Sequence, residues 1–194
     1  MAFLLLALFA ADWPAFRGGT ASAASTDAVP LTLDASTLLW KVTLPGPGSS
    51  SPVVIGNRVY VTCFTGADTP TSMTRHLLCF DRVTGKPLWK DAVAAVRDDE
   101  YRGYITEHGY ASSTPVADDA GVYAFFGKSG VHAWDHAGKK RWQAEVGTGS
   151  DPKRWGSAAA LVLYKDSLIV NAASESRSVR ALDRITGKEQ WKSA

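Results

Sequence analysis

Short apolar runs separated by turn residues recur along the chain. Residues 59–64, VYVTCF, place alternate side chains on two faces, which is the two-residue period of a β-strand. Three stretches that begin at Ser50, Ser112 and Ser157 each contain two such runs, split by a tight turn. No segment longer than ten residues shows helical periodicity, so the pattern predicts an all-β protein.

An eleven-residue pattern, A-x-D-x-x-T-G-x-x-x-W, follows each pair of runs. It occurs at 181–191 and, with Cys in the first position, at 79–89, and a copy one residue shorter that lacks the Thr lies at 133–142. An Asp side chain can accept N–H bonds from the turn that follows it, and Gly adopts positive φ without steric cost. We expect each Trp to lie on an outer strand, where its indole covers the small residue of a neighbouring unit. The recurring residues are Cys79, Asp81, Gly85, Trp89, Ala133, Asp135, Gly138, Trp142, Ala181, Asp183, Gly187 and Trp191.

Each unit is therefore predicted to contain four antiparallel strands. Units of about 40 to 50 residues with this content are typical of the blades of a β-propeller. Blades are expected at about 50–92, 112–146 and 157–192 of a propeller region that spans 37–194, and LLWKVTL at 38–44 is predicted to be a leading outer strand without inner partners. We expect an incomplete propeller, whose open edges would make the chain associate.

The repeated pattern resembles the tryptophan-docking motif of the pyrroloquinoline-quinone (PQQ) dehydrogenase-like propellers. The stretch DWPAFRG at 12–18, followed by LLWKVTLPGPGSSSPVV, is similar to the start of exported members in planctomycete-type bacteria. Those proteins are described as PQQ-binding-like repeat proteins or as similar to the outer-membrane assembly factor BamB. The resemblance covers residues 12–194 and implies a propeller of seven or eight blades, so we expect this chain to be the N-terminal part of a longer protein.

Composition and charge narrow the class of partner. The chain is 45% hydrophobic and 21% charged, with a net charge of +2 and interspersed signs, so it has no basic stripe for nucleic acid. An apolar run within residues 1–11 is too short to span a bilayer and suits a secretory signal truncated at its charged end. The alternative is a buried strand or short helix. Export to the periplasm or cell envelope is favoured, with residues 12–36 as an extended N-terminal segment.

The only cysteines are Cys63 and Cys79. They fall on consecutive predicted strands and could pair. Cys79, however, occupies the small-residue position of the repeat, which favours a buried free thiol.

The long connections are predicted to share one rim of the propeller, because second-to-third strand and blade-to-blade loops lie on the same face. Long loops on a rigid scaffold are where binding residues concentrate. The candidate ligand-binding residues on this rim are Glu107, His108, Tyr110, Lys128, Arg154 and Trp155. The structural alternative, which is favoured, is an ion pair between Glu107 and Arg154 with His108 capping a loop.

No catalytic residue and no metal site are predicted. The histidines at 76, 108, 132 and 136 are scattered and lack the spacing that aligns ligands. The resemblance implies, as the alternative, a dehydrogenase that uses PQQ and calcium, but the vicinal disulfide of those enzymes is absent from this sequence.

The expected function is a non-catalytic exported module that binds a protein or a small polar ligand in the envelope, without a cofactor. A PQQ-dependent enzyme ranks second, with its site largely in the C-terminal half of a longer chain. A sensor or scaffold domain fused to another unit ranks third.

Overall fold

A computed structural model describes residues 11–20, 22–27, 30–32, 34–66, 72–96 and 109–194. These residues form three four-stranded antiparallel sheets, each built from strands that are consecutive in sequence. The all-β, partial propeller prediction is therefore confirmed. Residues 1–10 of the export signal predicted at 1–11 lie outside the described residues.

Each sheet is one blade, with its innermost strand first. Blade 1 contains β1 (Val53–Ile55), β2 (Arg58–Thr65), β3 (Thr74–Asp81) and β4 (Pro87–Ala94). Blade 2 contains β5 (Val116–Ala117), β6 (Val122–Phe125), β7 (Val131–Trp134) and β8 (Lys140–Ala144). Blade 3 contains β9 (Val162–Tyr164), β10 (Ser167–Ala172), β11 (Ser178–Asp183) and β12 (Glu189–Ser193). The α-helix α1 (Ala173–Ser176) joins β10 to β11, and 3-10 turns lie at Phe16–Gly19, Gly109–Ala111 and Gly127–Ser129.

The Asp of the repeated pattern organises the turn before each outer strand. One carboxylate oxygen of Asp81 accepts the backbone N–H of Thr84 at 2.8 Å and its hydroxyl at 2.8 Å. Asp183 makes the same two contacts with Thr186, at 2.7 and 2.8 Å. These bonds favour the ionised carboxylate and lower the pKa of both Asp81 and Asp183.

Three indoles, those of Trp40, Trp89 and Trp142, each pack against the turn glycine of the next unit. A Cβ built on Gly85 would lie 2.6 Å from Trp40 Cδ2, one on Gly138 would lie 2.7 Å from Trp89 Cδ2, and one on Gly187 would lie 2.6 Å from Trp142 Cδ2. The three glycines have φ of +69°, +89° and +73°. Only glycine combines this backbone conformation with the flat contact that the ring requires.

The same three indoles donate a hydrogen bond across the interface. Trp40 Nε1 donates to the carbonyl of Arg82 at 2.8 Å, Trp89 Nε1 to that of His136 at 3.0 Å, and Trp142 Nε1 to that of Arg184 at 3.2 Å. In each case the acceptor is the residue directly after the Asp of the turn.

The predicted partner of the indole was wrong in one respect. The small residue of the pattern lies opposite the Trp within the same blade, as the pairs Cys79–Trp89 and Ala133–Trp142 show. The surface that the ring covers on the neighbouring blade is the glycine. Spacing along the chain does not distinguish a cross-strand neighbour from a cross-blade one, because both lie close to the outer strand.

Trp191 also departs from the expectation. It lies opposite Ala181 in blade 3, as the pattern predicts, but it is 46% exposed. Within the described residues no glycine turn packs against it, so it remains at the outer face of blade 3.

The core lies between the blades. One buried cluster joins blades 1 and 2 and includes Tyr60, Cys79 and Trp134, and a second joins blades 2 and 3 around Tyr123 and Leu168. Cys63 belongs to another cluster on the opposite face of blade 1. The two cysteines therefore lie on opposite faces of one sheet and are buried free thiols.

Two N-terminal segments pack on blade 1. Residues 38–44 lie outside the three sheets, so the predicted leading strand has no ladder partner among the described residues. Trp40, Val42 and Leu44 nevertheless cover the outer face of blade 1. Residues 11–20, which we call the strap, contact the innermost strand through a bridge between Trp13 and Val54.

Among the described residues, no helix has the length and apolar character needed to cross a bilayer.

Candidate functional site

The structure places the candidate rim residues in two groups. The connections β2–β3, β6–β7 and β10–β11 lie at one end of the blades, together with the blade-to-blade segments. Tyr110 and Lys128 are buried beneath this rim, whereas Arg154 and Trp155 are exposed on it. Glu107 and His108 lie outside the described residues, so neither the ligand site nor the alternative ion pair that includes them is tested.

Tyr110 contributes to packing. Its ring meets the edge of Phe64 with 5.1 Å between centroids, and Met73 and Ala111 complete the same buried cluster. Tyr110 is the middle residue of the 3-10 turn Gly109–Ala111, which leads into the inner strand of blade 2. Its position therefore holds the connector against blade 1.

Arg75 links this connector to the next loop, and the sequence analysis did not select it. Its side chain is buried, with Nε donating to the Tyr110 carbonyl at 2.7 Å and Nη1 donating to Ser129 Oγ at 3.3 Å. Ser129 Oγ in turn donates to the Ala94 carbonyl of β4 at 3.3 Å. Arg75 thus brings the 109–111 turn and the Lys128 loop to the same side of blade 1.

The sequence of β3 contains a pattern that indicates a buried position for Arg75. Arg75, Leu77 and Cys79 are alternate residues on one strand, and all three are buried. A cation in the buried phase of a strand requires hydrogen-bond partners, because burying an unpaired charge is costly.

The loop at 150–156, which we call the Trp155 loop, is fixed by one carboxylate. Asp151 Oδ1 accepts the N–H of Lys153 at 2.9 Å, and Oδ2 accepts those of Trp155 at 2.9 Å and Gly156 at 3.1 Å. Arg154 has φ of +56° inside this turn, a conformation that is uncommon for non-glycine residues.

The loop holds Trp155 in solvent. The indole is 60% exposed, and the Lys153 ammonium lies 4.6 Å from its ring centroid. A lysine over an exposed aromatic ring gains about 0.5 to 1 kcal/mol. The backbone bonds and the cation therefore limit the motion of a large apolar side chain that the core does not use.

Beside the loop lies a buried carboxylate. Glu175 in α1 accepts a hydrogen bond from Ser157 Oγ at 2.9 Å, and its carbonyl accepts the N–H of Gly149 at 2.8 Å. These contacts anchor both ends of the Trp155 loop to the β10–β11 connection. The Trp155 loop is thereby hydrogen-bonded to blade 3 on this side of the rim.

The described histidines have structural partners. His76 Nε2 lies 2.8 Å from Thr65 Oγ1, and His136 Nδ1 lies 2.7 Å from Tyr60 Oη. His132 stacks on Trp134, and desolvation lowers its pKa to about 4. No group of metal-ligating side chains occurs among the described residues.

Two cavities of comparable size lie away from the Trp155 loop. One, of about 490 Å³, lies between the 34–40 segment and blade 1 and includes Leu38, Trp40 and Val59 in its wall. The other, of about 430 Å³, lies between the strap and the inner strands of blades 2 and 3. Trp155 contributes to neither wall.

Solved propellers share this arrangement of blades. BamB from Moraxella catarrhalis has 21% sequence identity and a TM-score of 0.51, over 80% of this chain and 42% of that one. The quinohemoprotein alcohol dehydrogenase ADHIIG from Pseudomonas putida HK5 has 20% identity and a TM-score of 0.50, over 79% of this chain and 21% of its own. Quinohemoprotein alcohol dehydrogenase from Comamonas testosteroni has 19% identity and a TM-score of 0.51, over 76% and 21%.

At these identities the likeness shows the fold alone, and this chain spans less than half the length of each of these proteins. No protein of curated function matches the chain. The sequence model of the family described as outer membrane protein assembly factor BamB matches residues 8–194. Because that match covers nearly the whole chain, the protein belongs to the outer membrane protein assembly factor BamB family.

Proposed function

We propose that the chain is part of a non-catalytic β-propeller of the cell envelope, and that its rim binds a protein partner through the Trp155 loop. The observation that carries the proposal is a loop, hydrogen-bonded to the Asp151 carboxylate, that keeps Trp155 60% exposed. An indole held in one conformation loses little entropy on binding, and Trp is enriched among the residues that dominate binding energy at protein interfaces. Membership of the BamB family supports the envelope location.

The shape of the loop favours a protein over a small molecule. Small-molecule sites are concave and bury most of the ligand. Trp155 projects from the rim and lies in neither of the two cavities described above, so a flat partner surface suits it better. The rim bears Lys153 beside the indole, which favours a partner with an acidic patch.

The described residues do not fit PQQ and its calcium ion. Calcium requires several oxygen ligands from carboxylates and carbonyls, and the described part of the chain contains no group of three or more His, Cys, Asp or Glu side chains placed to hold a metal ion. Cys63 and Cys79 lie on opposite faces of blade 1 and cannot form the vicinal disulfide that the resemblance implies.

The binding proposal is tested with Trp155→Ala. The full chain would be immobilised and exposed to envelope extract, and the captured protein identified, purified and titrated by calorimetry. We expect Trp155→Ala to weaken binding by at least about 30-fold, the range of an interfacial hot spot. Tyr164→Ala is the matched control, because Tyr164 is 62% exposed and has Lys165 at 5.3 Å from its ring, on the opposite face.

Equal affinities for wild type and Trp155→Ala would contradict the assignment of the rim. The enzyme alternative is checked separately by adding PQQ and calcium and following dye reduction with alcohols and sugars. We expect no PQQ-dependent turnover, and a rate that depends on PQQ would overturn the non-catalytic proposal.

A further inference from the structure

The strap forms main-chain hydrogen bonds with the innermost strand of blade 1. Trp13 N–H donates to the Val54 carbonyl at 2.8 Å, and Val54 N–H donates to the Trp13 carbonyl at 2.9 Å. Val54 lies opposite Val59 in the β1–β2 ladder. Since both main-chain groups of Val54 bind the strap, they point away from β2 and towards the channel side of the blade.

The strap then reaches blade 2 in the same way. Ala117 N–H, on the inner strand β5, donates to the Pro14 carbonyl at 2.8 Å. Two consecutive residues of the strap thus use the free edges of two consecutive inner strands. The edge of an inner strand is a receptive surface in this fold, because its N–H and C=O groups lack a partner within the sheet.

The position in blade 3 that corresponds to Val54 is Leu163. Each is the central residue of a three-residue inner strand, next to a two-residue turn. Leu163 lies opposite Leu168 as Val54 lies opposite Val59. Its N–H and C=O therefore point away from β10, and β9 is the edge strand of its sheet among the described residues.

The strap turns away before it reaches this position. Arg17, Gly18 and Gly19 have φ of +57°, +71° and +72°, which reverses the chain, and Gly18 packs against the ring of Trp13. A cavity of about 430 Å³ remains between the turned strap and β9. Its wall includes Phe16, Val116, Leu161 and Leu163, so it is apolar around a strand edge that offers main-chain hydrogen bonds.

We propose that this cavity binds an extended peptide segment of a partner protein, paired with Leu163 as Trp13 is paired with Val54. The site requires a partner for the main-chain groups of the strand edge and an apolar group for the cavity. A peptide supplies both, since its backbone pairs with the strand edge and an apolar side chain packs against the cavity wall. A small apolar molecule would leave the main-chain groups without partners. This surface does not include the Trp155 loop, so the result of a test at one of the two surfaces does not decide the other.

The probe is a blocked pentapeptide with the sequence of residues 12–16, DWPAF. It carries the strap residues that already pair with an inner strand. The full chain labelled with ¹⁵N would be titrated and amide shifts followed by NMR. We expect saturable shifts of the Leu163 amide and its neighbours on β9, with the shifts at Val54 staying small because the strap remains in place.

Two changes test the main-chain pairing. Leu163→Pro removes the outward N–H, which the β9–β10 ladder does not use, and Pro is tolerated at such edge positions. Leu163→Ala is the matched control, since it keeps the N–H. We expect Leu163→Pro to weaken peptide binding about tenfold, the value of one hydrogen bond, and Leu163→Ala to weaken it less.

The second change is made in the peptide, so that it does not depend on the folding of a variant. N-methylation of its Trp removes the donor that corresponds to the Trp13 N–H, and we again expect about tenfold weaker binding. Shifts confined to Val54, no shifts at millimolar peptide, or equal binding of the methylated peptide would overturn the proposal. Shifts at Leu163 that grow with protein concentration in the absence of peptide would assign the edge to a second copy of the chain and would also overturn it.

Discussion

Substitution of Gly187 by Ala measures how strongly an indole joins two blades. The backbone at Gly187 has φ of +73°, and an added Cβ would lie 2.6 Å from Cδ2 and Cε3 of Trp142. Carbon atoms in contact prefer about 3.5 to 4.0 Å, so the ring would have to move by about 1 Å. That movement would also stretch the Trp142 Nε1 hydrogen bond to the Arg184 carbonyl, now 3.2 Å.

Gly187→Ala lowers the free energy of unfolding in three ways. Placing Ala in the left-handed region costs about 1 kcal/mol, loss of the hydrogen bond costs about 1 kcal/mol, and overpacking costs at least about 1 kcal/mol. We expect Gly187→Ala to lower the free energy of unfolding by about 3 kcal/mol. Gly56→Ala is the matched control: its φ is +51° and nothing lies within 4 Å of an added Cβ, so about 1 kcal/mol is expected.

A double-mutant cycle isolates the contact itself. In a Trp142→Leu background the ring over Gly187 is absent, so Gly187→Ala should cost only the backbone strain, and the coupling energy should be about 2 kcal/mol. Urea unfolding followed by far-ultraviolet circular dichroism gives each value without relying on tryptophan fluorescence. If Gly187→Ala and Gly56→Ala destabilise the protein equally, or the cost survives in Trp142→Leu, the indole does not clamp the blades.

Three further outcomes are expected. Burial lowers the pKa of His132 from its ordinary 6.5 to about 4, so between these pH values the unfolded state binds a proton that the folded state does not. The free energy of unfolding should therefore fall by about 3 kcal/mol as the pH falls from 6.5 to 4. In His132→Gln the free energy of unfolding, measured with urea at each pH, should depend less steeply on pH, and an unchanged pH dependence would contradict this. Trp191→Ser should reduce self-association measured by sedimentation, because Trp191 is 46% exposed on the face of blade 3, and undiminished association would place the contact elsewhere. Arg184→Met should destabilise the protein more than Arg180→Met, since Arg184 lies 2.6 Å from Asp118 of another blade, whereas Arg180 pairs with Glu189 of its own; the reverse order in thermal unfolding would refute it.

The repeat was predictable because its chemistry is local. Asp81 and Thr84 are three residues apart and bond directly, and Gly85 closes the same turn. The interactions that define the turn are therefore contained within the pattern. The alternation of apolar and polar residues predicted the strands of each blade. The observed order of strands in each sheet follows because consecutive strands form hairpins.

The rim was less predictable because its contacts join distant positions. Arg75 and Tyr110 are 35 residues apart, and the connectors between them follow no repeat. Trp155 was selected from its place on a long loop, and the structure shows it exposed. Tyr110 was selected by the same reasoning, but it is buried, because loop length does not indicate which side chains fold inwards.

The interfaces between units combine a fixed apolar contact with polar contacts that vary. At the three described interfaces the indole meets glycine and the carbonyl after the turn Asp, because both are main-chain features that the turn dictates. The side chain of that following residue varies. Arg184 contacts Asp118 of blade 2 at 2.6 Å, and Arg82 lies 3.6 Å from Asp12 of the strap.

Asp12 therefore takes at blade 1 the position that Asp118 takes at blade 3, beside the arginine that follows the turn Asp. It also accepts the Gly56 N–H at 2.9 Å, which fixes the strap at the β1–β2 turn. The strap then continues into its pairing with Val54. A short segment can thus replace the polar edge of a preceding blade, because that edge consists of one carboxylate and a few main-chain groups. The apolar contact still requires an indole, which Trp40 supplies.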